Sequence, residues 1–264
     1  MYRQHQHTQL RHTTSVAIDV LGRFEVVVDG LATPDRAWSR RSAAALIKIL
    51  ALAPGHHLHR EKVMDLLWPD EPPERTAPRL HKAAHFARRA AGRDDAVVLR
   101  DDVVWLFPDA ELFVDVERFE TLARSAVAAD DPELARRALD WYGGDLLPND
   151  PYEEWVADRR QLLHLRRLDL LRIAGHWREL TEIEPTDEDA HVRLMRAALC
   201  QFGQLERVLD REFGTAPGEA AQRAFADARR VDQLLVTLSD LEDRHRAVLA
   251  ELVAVGCPSP CAEQ

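Results

Sequence analysis

The spacing of apolar positions changes along the chain, and each change predicts an element. Val16 to Leu21 and Phe24 to Val28 are short β-branched runs parted by Gly22, which predicts two strands and a turn. Ala45, Leu46, Ile49, Leu50 and Ala53 then recur at helical spacing, with Ser39 or Ser42 as cap and Pro54-Gly55 as stop. A second helix is expected from about Arg60 to Trp68, showing Val63, Met64, Leu66 and Leu67 on its apolar side. Pro69 closes it, and the proline-rich loop through Pro73 leads to a third helix from Glu74 to Ala91. Val97 to Phe107 reads as a hairpin turning at Asp101-Asp102. Strands, three helices and a closing hairpin predict a winged helix-turn-helix over 16–108, preceded by a disordered polar tail over 1–15.

Beyond Asp109 the pattern is helical. Val116, Phe119, Leu122, Ala123 and Ala126 share a face, Asp131-Pro132 opens another helix, and an amphipathic stretch runs from Tyr152 to Ile173. Such pairs of helices suit a repeat module, though no clean period is visible. The expected fold is mainly α with a small β component: a winged helix-turn-helix, then an α-helical tetratricopeptide-like bundle over 109–230. A C-terminal helix and tail occupy 231–264. In it Leu234, Leu238, Leu241, His245, Val248, Leu252 and Val255 alternate spacings of four and three, a heptad seam. Two outcomes remain open for this seam: a homodimer through 232–255, or a helix folded back on its own bundle.

The third helix carries the most specific chemistry. At about 100° per residue, Leu80, Ala83, Ala84, Ala87 and Ala91 fall on one side. Arg75, Lys82 and Arg89 form a stripe opposite, flanked by Arg79, His81, His85 and Arg88, with Glu74 the one acid. Solvated helix faces usually mix signs to gain i,i+4 pairs, so a face of one sign predicts an anion laid across it. Arginine can chelate guanine O6 and N7 in the major groove, and the other cations can neutralise phosphates. Arg100 at the hairpin turn is placed for a minor groove or the backbone. Arg40 and Arg41, at a helix start, suit a phosphate or plain solvent.

The net charge of −10 does not oppose this. Met1 to Pro108 holds 16 Lys+Arg against 13 Asp+Glu, and Asp109 onward 19 against 32, so the acid lies in the second half. The halves therefore suit different partners. The N-terminal residues lack an apolar run of the length a signal peptide needs, and no transmembrane stretch follows, which predicts a cytoplasmic protein without membrane contact. The three cysteines, Cys200, Cys257 and Cys261, do not form a secreted disulfide framework. His56, His57 and His59 are read as turn residues, since nothing completes a metal shell. Phosphate-loop, dinucleotide, nucleophile-elbow and zinc-protease signatures are absent from the sequence. Neither an enzyme, a cofactor nor a metal is expected, and no receiver domain fits before Val16.

The run from Trp38 to Leu58, with LLWPDEPP and RLHKAAHFARRA after it, resembles the winged helix of the Streptomyces antibiotic regulatory proteins, of the response-regulator output type. FVDVERFETLA, YGGDLLPNDPYEEWVADRRQLL and EPTDEDAHVRLMRAAL resemble the bacterial transcriptional activator domain that follows it there. The resemblance covers about 16–225. It implies that the third helix enters the major groove of double-stranded DNA and the hairpin meets the minor groove. It also implies that the loop Trp68, Pro69, Asp70, Glu71 to Pro73 faces RNA polymerase; a rigid proline turn without a partner is the other reading. A sequence-specific activator of a specialised-metabolite gene cluster is the expected function. The alternative is an interaction scaffold whose winged helix has lost DNA. The sequence departs from the family after Leu199, where Cys200-Gln201-Phe202-Gly203 follows at once and roughly ten residues are missing. Two helices are there expected to be fused or shortened, with a break at Gly203 if anywhere.

Overall fold

A computed structural model describes residues 14–254, so Val255, Cys257, Cys261 and nearly all of the expected tail over 1–15 lie outside the described residues. The chain divides into two compact units, one ending at Gly175 and one starting at His176.

The first unit opens with β1 (Ser15–Asp19), β2 (Glu25–Val28) and β3 (Leu31–Ala32). Val16 and Ile18 alternate with half-exposed neighbours and are fully buried, which fixes the register of Val16 opposite Val28. Helices α1 (Arg41–Leu52), α2 (Arg60–Leu67) and α3 (Pro73–Ala91) follow. Between α1 and α2 lies β4 (His57–His59), antiparallel to β6 (Val103–Leu106), which in turn pairs with β5 (Val97–Arg100). His57 and His59 are therefore strand residues rather than turn residues. A three-residue strand is too short to declare a period, and His57 is held by stacking on Trp105 at 4.2 Å between ring centroids. His56 alone keeps a turn geometry, with φ 57°.

The sheet does not stop at Pro108. β7 (Glu111–Val114) runs parallel to β1, giving the order β3-β2-β1-β7, and leads directly into α4 (Asp115–Ala129). Helix α5 (Pro132–Leu139), capped by the Asp131 carboxylate, and α6 (Ala157–Ala174) complete the unit. Between them the chain returns to the end of β1. Gly22 N–H donates to the Asp145 carbonyl and Leu147 N–H to that of Val20, both at 2.9 Å, with Leu21 bridging Leu146. Gly22 sits at φ +79°, and a Cβ there would stand 2.3 Å from the Gly143 carbonyl oxygen, so only glycine lets the strands meet.

Side-chain packing follows the backbone. Ile18, Val20, Leu46, Leu50, Leu80, Phe107, Phe119, Leu146 and Leu163 belong to one core cluster. The boundary expected at Pro108 thus falls inside a single core, because Val20 and Leu21 are buried against both halves. Polar ties run the same way: Lys48 meets Asp150 at 2.6 Å, and Arg159 bonds both Glu120 and the Leu52 carbonyl.

The second unit holds α7 (Trp177–Ile183), α8 (Glu188–Phe213) and α9 (Glu219–Ala254). Helix α8 runs unbroken through Gly203, so the helices on either side of the apparent deletion are fused. Phe202 stacks on Phe225 at 4.4 Å and Arg196 pairs with Asp232 at 2.6 Å, which ties α8 to the first half of α9. The chain is thus mainly helical with a small β component, a winged helix-turn-helix followed by a helical bundle.

Candidate nucleic-acid interface

Helix α3 begins one residue before its sequence-expected start because Pro73 occupies the first turn, where a missing N–H costs nothing. It ends at Gly92, left-handed at φ 67°. Leu80, Ala83, Ala84, Ala87 and Ala91 are all buried, as the periodicity demands, and small side chains let α3 lie close on α1. Thr76, also buried, is fixed to α2 by its hydroxyl, 3.2 Å from Met64 Sδ.

The opposite face holds Arg75, Arg79, His81, Lys82, His85 and Arg89, every one exposed. Among the described residues no carboxylate pairs with Arg75, Lys82 or Arg89. These three span 14 residues, about 21 Å of helix, and point the same way. His85 turns its ring edge toward Phe86, 5.5 Å between centroids. Arg88 is not part of this face: its Nε donates to the Val97 carbonyl at 2.7 Å and locks α3 to the hairpin.

Arg79 differs from its neighbours. Its guanidinium lies 2.5 Å from Glu71 and 4.5 Å from the centroid of the Trp68 ring, so it is engaged by the loop before α3. The loop itself turns through Asp70 at φ 64° between Pro69 and Pro72, which leaves it little freedom of its own. Sequence spacing could not show this clasp, because it depends on where the loop doubles back.

The hairpin turns in two residues, Asp101 at φ 52° and Asp102 at φ 60°, the geometry that matches strand twist. Asp102 is tied to α2, its carbonyl accepting from Arg60 N–H at 2.8 Å and its carboxylate from the Arg60 side chain at 3.0 Å. Arg100 is 72% exposed and has Asp101, itself 91% exposed, 3.7 Å away. The wing tip therefore offers one cation beside two acids. Between α2, α3 and this turn lies a cleft of about 230 Å³ lined by Arg60, Leu80, His81 and Arg100.

Arg40 and Arg41 part company. Arg40 lies 5.0 Å over the Phe86 ring, beside the basic face of α3. Arg41 reaches the other way and pairs with Glu153 at 2.8 Å. The structure thus gathers Arg75, Arg79, Lys82, His85, Arg89 and Arg40 along one helix, with His81 and Arg100 at the cleft under the wing.

Among the described residues no helix is long and apolar enough to cross a membrane, and no group of three His, Cys, Asp or Glu is arranged to hold a metal. Residues 114–229 match the family model of the bacterial transcriptional activator domain. No curated protein matches the chain. The solved structure of EmbR from Mycobacterium tuberculosis, in complex with a low affinity phosphopeptide, is similar with a TM-score of 0.49 and 18% identity, over 86% of this chain and 71% of that one. A bacterial transcriptional activator domain thus follows a winged helix in one chain, the make-up of a transcription regulator.

Proposed function

We propose that the chain is a sequence-specific DNA-binding activator that lays α3 in the major groove, with Arg75, Lys82 and Arg89 as its central contacts. The observation that carries this reading is the outward face of α3, where three cations run for about 21 Å without a paired carboxylate. Such a face repels itself in water and is relieved by a phosphate backbone. His85 and Arg40 extend it, His81 and Arg100 lie at the edge nearest the wing, and Arg41 contributes through Glu153 rather than through DNA. The loop Trp68, Pro69, Asp70 and Glu71, presented at the start of the same helix, is the surface for RNA polymerase. Two copies on tandem half-sites about one helical turn apart fit this reading. The setting is the cytoplasm, and the targets are promoters of a specialised-metabolite gene cluster.

Gel shifts of the full chain against promoters neighbouring its own gene test the reading. Binding that weakens steeply with salt is expected. A log K against log salt slope near zero, or no promoter preference, would leave the interaction-scaffold alternative standing.

A further inference from the structure

We propose that the far half of α9 is a self-association surface, and that its partner is a second copy of this chain. The proposal deepens the two-copy reading above by naming the surface that joins the copies.

The match to the activator domain ends at residue 229, yet α9 continues to Ala254, about 37 Å further. The helix has two stripes, one half-buried and one apolar and exposed. Phe225, Ala228, Asp232 and Leu235 are its half-buried positions, and two of them, Phe225 and Asp232, contact α8. Val231, Leu234, Leu238, Leu241 and Val248 form the second stripe, turned about 130° away by helical geometry. These five side chains are 46–63% exposed. Among the described residues of the second unit nothing covers them. Helix α8 cannot do so further along: its first residue, Glu188, comes level with about residue 240 if the pairings 202 to 225 and 196 to 232 continue in step.

The second stripe keeps heptad spacing throughout, with His245 at one inward position. A strip of that period is complementary to another strip of the same period, which an identical helix supplies without further design. Its edges suit that partner, for Glu242 flanks one side and Arg244 the other, so two copies do not press a block of like charge together. The strip measures roughly 25 Å by 10 Å, an exposed apolar patch of a few hundred Å². It is smaller than a permanent interface, and the expected dimer is concentration-dependent.

Sedimentation equilibrium of the full chain without DNA tests this. The mass is expected to climb from one copy to two as concentration rises. The double substitution Leu238→Glu with Leu241→Glu should weaken the dimer at least about tenfold, with helix content by circular dichroism unchanged. Val236→Glu, equally exposed but on another face, should leave the dimer intact. A monomer at every concentration overturns the proposal, as does a Val236→Glu loss equal to that of the double variant. A dimer that forms normally while DNA binding is absent speaks against the DNA reading alone.

Discussion

Arg79 and Glu71 are joined at 2.5 Å across the bend between the proline-rich loop and α3. The arginine is on the face expected to meet DNA, yet its charge is already answered. A phosphate at this position has to displace Glu71. Glu71→Gln removes the competitor, and the variant is expected to bind promoter DNA a few-fold more tightly, with a salt slope steeper by up to about one unit. Salt-dependent gel shifts check this. An unchanged slope would mean that Arg79 serves the loop and never the DNA.

Alanine at the three open cations should separate two kinds of contact. Lys82→Ala is expected to weaken all sequences alike, whereas loss of Arg75 or Arg89 costs about 1–3 kcal/mol wherever it reads guanine and relaxes preference at that base. Selection of binding sites from a random pool, run for each variant, reads the difference. Arg41→Ala, whose partner is Glu153, should alter neither affinity nor preference.

Gly22 is the tightest point of the first unit. Gly22→Ala places a methyl group 2.3 Å from the Gly143 carbonyl oxygen at a φ of +79°. A destabilisation of about 2–4 kcal/mol is expected from the clash and the backbone conformation together. Urea denaturation measures it. Gly30→Ala, with a similar φ but open space around it, should cost less, and equal losses would show that the close approach is not the cause.

Asp115 links stability to pH. Its carboxylate accepts N–H bonds from Val20, Leu21 and Val116 at 2.7–3.0 Å, but burial outweighs them and holds its pKa above the ordinary carboxylate value. A group whose folded pKa is raised stabilises fully below its unfolded value and loses that contribution as pH climbs through the folded one. Asp115→Asn does not titrate, so its stability curve should be flatter from the carboxylate range upward. Thermal melts across acidic pH provide the comparison, and parallel curves for the two proteins would contradict it.

Helix α3 was legible to within one residue because its signals are local. Side chains spaced at 3.6 residues must share a face, and Leu80 through Ala91 obey that rule without help from the rest of the chain. Strands β3 and β4, two and three residues long, carry too few positions for an alternation to be read, and β7 exists because β1 offers it a parallel edge. The shared core escaped sequence reading for a related reason. It rests on backbone bonds between residues about 125 positions apart, and peptide groups leave no mark on a pattern of side chains. Within the candidate site, the cations were readable and their employment was not, since Glu71, Glu153 and the Val97 carbonyl claim theirs through folding.

The backbone pairing of residues 20–22 with 145–147 also limits how such a regulator can acquire a new target. A chimera joined at Pro108, taking its reading head from one relative and its helices from another, would inherit ill-matched halves of one core. If α3 reads DNA as proposed, specificity travels between relatives as a block extending through Gly175, or by replacing the outward side chains of α3, which leave that core untouched.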